Sequence, residues 1–242
     1  IIINRRLLCI MNEEERRKGE KEWLFVRSSS EISSKLPSEI SGKEYSWIAV
    51  ARIKDEEEED EEEFGSFCLE AKEKLNELKE RLQSKKREKD AFGKTITKDD
   101  YRKRCAQWII DASPNKGGKW LINRDPDKVD ETWTKIANSF FGGALSNLAC
   151  AAKVSTSDVP PSKHVICVYA KNYADIINVQ NLAMALHGLG CKPQHFKANC
   201  FTHLVGNVGN VYGLKTTQYT YSIDEDKHKF VGALDELGKA DY

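Results

Sequence analysis

Short runs of aromatic and β-branched residues, separated by polar stretches, set the pattern of apolar positions along this chain. Trp23-Leu-Phe-Val26 is the first run and reads as a short strand or as a peptide that docks on the body. Tyr45 to Ile53 contains no breaker and reads as a strand, as do Leu148 to Val154, His164 to Tyr169, His203 to Val205 and Leu214 to Ile223. His164 to Tyr169 is apolar almost throughout, the pattern of a strand covered on both faces. Asn115-Lys-Gly-Gly118 lies between Trp108-Ile-Ile110 and Trp120-Leu-Ile122. Asparagine and glycine accept positive φ, so residues 108–123 read as a β-hairpin with a tryptophan on each arm. One tryptophan of that hairpin is expected in the core and the other at a binding mouth.

The apolar spacing lengthens to three or four residues in three places. Cys68, Ala71, Leu75, Leu78 and Leu82 share one face of a helix. Asp125-Pro126 combines an N-cap acceptor with a proline at the first helical position. Val129, Trp133, Ile136 and Phe140 follow on one side, and Gly142-Gly143 ends the helix. Asp175 to Leu189 is the third helix, stopped by Gly190. Val231, Leu234 and Leu237 hint at a fourth in the tail. Consecutive strands joined by tight turns imply a curved, mostly antiparallel sheet, and amphipathic helices need one of its faces. The fold class is therefore α+β, with three helices on one face and the other face open to a ligand.

Charge changes this picture in one stretch. Asp55 to Glu63 is nine consecutive acids, which repel one another and read as a disordered insertion in a surface loop. Residues 1–22 read as a disordered segment or extension, 23–223 as a single domain carrying the acidic insertion at 55–63, and 224–242 as a charged tail. Residues 1–10 precede Met11, and Asn4-Arg5-Arg6 interrupts what could imitate a signal peptide. The 38 basic and 38 acidic residues balance, which argues against a dedicated basic nucleic-acid scaffold and leaves room for a local basic face. Seven scattered cysteines without a CxxC pair fit reduced thiols in a cytoplasmic or nuclear protein. No run approaches the ~20 apolar residues of a membrane span, so no membrane partner is expected.

The chemistry-bearing motifs are few. There is no nucleophile elbow, no phosphate-binding P-loop and no His-Glu-x-x-His, so no catalytic residues and no enzymatic activity are expected. Cys191, His195, Cys200 and His203 are dense, but their spacing is not a standard zinc pattern, and neither metal nor cofactor is expected.

Gly117-Gly-Lys-Trp-Leu-Ile122, Trp133, Ala152-Lys-Val154, Val165-Ile-Cys-Val-Tyr169 and the helix ending Leu189-Gly190 resemble, in order, the cap-binding translation initiation factors of the 4E type. Lys153-Val-Ser-Thr156, His164 to Tyr169 and the stretch from Lys192-Pro193 to Tyr221-Ser222 are similar to an uncharacterised eukaryotic branch, the basophilic-leukaemia-expressed protein family. The resemblance implies a 4E-like fold that holds a methylated guanine between two tryptophans, placed by position at Trp47 and Trp108. Two indoles suit a positively charged purine because stacking and cation–π attraction act together. It further implies a third aromatic at Tyr169, phosphate contacts from Lys153 and Lys163, and core positions for Trp120 and Trp133. The family's guanine-binding glutamate corresponds to Ile109, which leaves Asp111 as the nearest carboxylate. The family's peptide-binding tryptophan is missing from the helix at 68–82, which argues against the usual adaptor peptides.

Two functions follow. One is a non-catalytic module that binds RNA or a nucleotide on the concave sheet face through Trp47, Trp108, Asp111, Lys153, Lys163 and Tyr169. The other is a protein-interaction or structural module that has lost cap binding. A plainer account of the same residues also stands: Trp47, Trp108 and Tyr169 as buried strand residues, and the two lysines as ordinary surface groups.

Overall fold

The computed structural model describes residues 22–51, 61–156, 163–206, 210–224 and 227–232. Residues 1–21, the acidic residues 55–60, Pro160-Pro161 and the tail beyond 232 lie outside them. The eight strands are β1 (Glu22–Phe25), β2 (Tyr45–Ala51), β3 (Gly118–Arg124), β4 (Ala151–Ser155), β5 (His164–Ala170), β6 (His195–Ala198), β7 (Tyr219–Asp224) and β8 (Lys227–Gly232). They form one sheet in the order β1-β2-β4-β5-β3-β6-β7-β8, antiparallel everywhere except between β1 and β2. The helices are α1 (Glu61–Gln83), α2 (Lys98–Ala112), α3 (Pro126–Gly142), α4 (Ile176–Gly188) and the short α5 (Asn199–Leu204), with a 3-10 turn at Ser29–Ser34.

The mostly antiparallel α+β class is what the structure has, and its helices share one core with one sheet face. Alternation along the strands decides which side chains enter it. Ile48 and Val50 of β2, Trp120 and Ile122 of β3, Val154 of β4, and Ile166 and Val168 of β5 all join it. Leu75 of α1, Ile109 of α2, Trp133 of α3 and Leu182 of α4 meet them from the other side. Trp120 and Trp133 are fully buried core residues, as the resemblance implies.

The stretch 108–123 is not a hairpin. Trp108-Ile-Ile110 lies in the last turns of α2, which a loop joins to β3. Thr97 and Asp100 form a reciprocal capping box at its start: the Thr97 hydroxyl accepts from the Asp100 N–H at 3.1 Å, and Asp100 Oδ2 accepts from the Thr97 N–H at 2.8 Å. Tyr101, Cys105 and Ile109, four apart, then turn one face to the core. A three-residue branched run is compatible with either element, and the cap together with this spacing decides for helix. The last three acids of the charged run, Glu61 to Glu63, also belong to a helix, the first turn of α1.

Further boundaries differ from the sequence reading: the strand expected over Leu214 to Ile223 begins only at Tyr219, because 214–218 is loop. His203 to Val205 is not a strand: α5 occupies 199–204, and the adjacent strand is the short β6, whose Phe196 is buried and whose His195 is exposed. Val231 belongs to β8 rather than to a helix. Asp125 precedes α3 in an extended conformation but makes no side-chain cap bond, so Pro126 carries that start alone.

Gly117 and Gly118 are absent from the positive-φ glycines. Their role is close approach. A Cβ on Gly118 would sit 2.4 Å from Cε1 of Phe196, whose ring is fully buried and stands edge-on to Trp120 at 5.4 Å. Gly118→Ala is therefore expected to cost about 1–3 kcal/mol through overpacking, read as a lower midpoint in chemical denaturation.

Burial also pushes the thiols of Cys105 and Cys200 up to about 11 from an ordinary 9.0, and it raises the Tyr173 phenol. The unfolded chain releases these protons first as pH rises. The stability they confer is complete below the unfolded value and is lost as pH climbs through the folded one. The fall in Tm between pH 9 and about 11 is expected to be smaller in Cys200→Ala than in the parent protein.

Candidate ligand-binding face

The register of the strands assembles a second surface on the side of the sheet away from the helices. Residues that alternate with the core positions line up across it in rows. Trp23 pairs with Trp47, Trp47 with Ser155, and the row continues to Val165 beside Asn123. The next row runs Phe25, Ala49, Lys153, Cys167, Leu121, His195. The third runs Ala51, Ala151, Tyr169, Lys119, Lys197. Ala151, Cys167 and Tyr169 form a small apolar cluster of their own, separate from the main core, with Ala51, Leu121 and Val165 against it. Ala49, Ala151, Cys167 and Tyr169 are each less than 5% exposed, so Tyr169 is the buried strand residue of the plainer account, while Trp23 and Trp47 are half-buried.

The β1–β2 edge holds the most distinctive contact. The Lys153 ammonium lies 4.0 Å from the centre of the Trp47 ring and 4.5 Å from that of Trp23. Both distances are well inside the ~6 Å reach of a cation–π interaction. Lys153 is 3% exposed, so this is a desolvated cation rather than an outlying surface lysine. Lys119 repeats the motif more loosely, with its ammonium 5.4 Å from the centre of the Tyr169 ring. Lys197, at the end of the same row, donates to the Gly206 carbonyl, and burial lowers its ammonium below the usual lysine range. Three lysines on one sheet face, each less than a tenth exposed, are unusual, since lysine is rarely buried.

Local hydrogen bonds fix the frame under the indoles. The Thr156 hydroxyl donates to the Tyr45 carbonyl at 2.6 Å, tying the end of β4 to the start of β2. The Ser155 hydroxyl accepts from the Val165 N–H at 3.1 Å, and the Ser155 carbonyl sits 2.9 Å from Nδ1 of His164. β1 is held by its parallel ladder and by the Val26 N–H, which donates to the Ala49 carbonyl at 2.9 Å.

Of the six residues that the sequence singles out, the structure brings Trp47, Lys153 and Tyr169 onto this face. Lys163 stands exposed just before β5, at the Trp47 end of the sheet. Trp108 and Asp111 are elsewhere. Trp108 packs on the helix side, stacked on Phe67 at 6.1 Å with the rings 17° from parallel. Asp111 is exposed at the end of α2, where its carboxylate accepts from the Gln107 amide at 2.8 Å. A helix in place of the expected strand carries both away from Trp47. Trp23 takes the place beside Trp47 instead. Its signal lay in the alternation of Trp23 and Phe25 with the core-facing Leu24 and Val26, but the parallel pairing with β2 is a non-local fact. Among the described residues, no group of three or more His, Cys, Asp or Glu side chains could hold a metal ion. Among them too, no helix is long and apolar enough to cross a membrane.

The chain belongs to the Bles03 family, whose model, described as basophilic leukemia-expressed protein Bles03, matches residues 14–205. Solved structures similar to it include the Ascaris suum eIF4E-3 complex with m7G cap, 18% identical, covering 34% of this chain and 51% of that one, with a TM-score of 0.30. The same Ascaris suum protein with m2,2,7G cap is 17% identical over 31% and 43% of the two chains, with a TM-score of 0.27. The complex of C. elegans eIF4E-3 with the 4E-binding protein Mextli and cap analog is 12% identical over 55% and 58%, with a TM-score of 0.28. The chain thus spans between 43% and 58% of the length of these structures.

Proposed function

We propose that the protein is a non-catalytic binding module that receives a nucleotide base, free or within RNA, on the helix-free face of its sheet. The observation that carries this reading is the pair of indoles, Trp23 and Trp47, turned toward one cation at 4.5 and 4.0 Å. Faces that attract an ammonium also attract a positively charged purine, which adds stacking area that a lysine lacks. In this reading the base lies against the half-buried Trp47. The Lys153 ammonium moves off the rings to meet the phosphates and Lys163 extends the basic edge, while Tyr169, 1% exposed, contributes packing alone. Trp108 and Asp111 take no part, and no carboxylate among the residues assigned here reads the purine edge. The module therefore selects for charge and stacking more than for base identity.

One observation favours a second reading, in which the face serves protein contact or structure alone. Lys153 already occupies the aromatic seat and is 3% exposed, so the seat is filled from within. Titration of the full chain with a methylated cap analogue, with its unmethylated counterpart and with unmodified single-stranded RNA separates the two. Nucleotide binding is expected to quench tryptophan emission, to lose at least about tenfold in affinity in Trp47→Ala and in Trp23→Ala, and to be unchanged in Trp108→Ala. Binding of unmodified RNA with a steep salt dependence would place more of the affinity on phosphate contacts. Absence of quenching and of RNA binding would sink the nucleotide reading and leave the second.

A further inference from the structure

A cavity of about 420 Å³ opens on the helix-bearing side of the molecule, at the opposite edge of the sheet from the indole pair. It lies where α2, the start of α4, α5 and the segment leading into β7 converge. Its volume falls within the roughly 300–1,000 Å³ of small-molecule sites. Ile110, Tyr173, Ile176, Phe201, Leu214 and Tyr219 give it an apolar, largely aromatic lining.

The polar atoms of that lining are turned to the protein. The Tyr173 hydroxyl donates to the Ile110 carbonyl at 2.6 Å, and the Tyr219 hydroxyl donates to the Tyr173 carbonyl at 2.9 Å. The rings therefore present carbon to the cavity, and a ligand's body gains by burial without leaving either phenol unbonded. Charge is added in one sign. Arg102, Lys103 and Lys215 line the cavity against the single carboxylate of Asp99. The Arg102 guanidinium is fixed in place, with Nη1 donating to Asp99 at 2.7 Å and Nε donating to the Tyr212 carbonyl at 3.1 Å. A cation already oriented by two bonds loses little freedom when it meets an anion.

The geometry points to a site for a small amphipathic carboxylate: an aromatic or alkyl body that fills the apolar cavity, with its carboxylate at the rim of Arg102, Lys103 and Lys215. This site is separate from the face assigned to nucleotide binding and does not depend on that reading.

Isothermal titration of the full chain with naphthalene-1-acetate, and with naphthalene-1-methanol as its uncharged counterpart, tests the assignment. One saturable site is expected for the carboxylate, with the alcohol at least about tenfold weaker, the value of one charge-assisted contact. The double substitution Lys103→Gln and Lys215→Gln should weaken the carboxylate by about the same factor and leave the alcohol unchanged. Ala106→Phe, which places a ring in the cavity, should abolish both, with circular dichroism confirming the fold. Trp47→Ala should leave the site intact. No saturable binding in the millimolar range, equal affinity for acid and alcohol, or a folded Ala106→Phe protein that binds as before would each overturn the assignment. If Ala106→Phe fails to fold, the lysine double substitution decides alone.

Discussion

The burial of Trp120 is the interaction on which the rest of the architecture depends. Its strand is central, paired with β5 on one side and β6 on the other. The indole lies edge-on to Phe196, Tyr221 and Phe230, and its N–H donates to the Val179 carbonyl of α4 at 3.1 Å. One side chain thus fastens a helix to three neighbouring strands and satisfies its own polar atom in doing so. The tightness has a local requirement, since Phe196 reaches Trp120 across the space left by the missing side chain of Gly118. It also sets the parity of the sheet. With Trp120 and Ile122 committed to the helices, Lys119 and Leu121 must face the other way, and every row on the opposite side inherits that choice.

Much of this was legible along the chain because period and punctuation agreed. α3 and α4 announced themselves by apolar spacing and by terminating glycines, and β5 by an unbroken apolar run. The core places of Trp120 and Trp133 came from the family resemblance, since local pattern left open which tryptophan of 108–123 was buried. The failures share a physical cause. Trp108-Ile-Ile110, His195 to Ala198 and His203 to Val205 are runs of three or four residues, too short for period 2 and period 3.6 to differ. In such runs tertiary packing decides: Ile109 is fully buried in the shared core. The Thr97–Asp100 box was the local clue to α2, but it stood eleven residues upstream of the tryptophan it governs.

The candidate face was half legible for the same reason. Trp47, Lys153 and Tyr169 sit on well-marked strands, so their parity follows from the pattern. Trp23 sits on a four-residue strand joined to its neighbour in parallel, through a long connection containing a 3-10 turn. No local rule brings those two indoles together; only the finished sheet does. The electrostatics were less legible still. A lysine in sequence reads as a solvated charge, and only the register shows three of them drawn into rows beside aromatic rings and backbone carbonyls.

The parallel pairing of β1 with β2 has a thermodynamic consequence. Among the described residues β1 is the end strand of the sheet order with β2 as its neighbour, and local opening of an edge strand draws on less free energy than global unfolding. If β1 opens locally, Trp23 leaves with it while Trp47 stays on β2, and the aromatic pair is complete only while that edge is closed. Any occupant that touches both indoles stabilises the closed edge by mass action, and its apparent affinity carries the fraction of molecules in which that edge is shut.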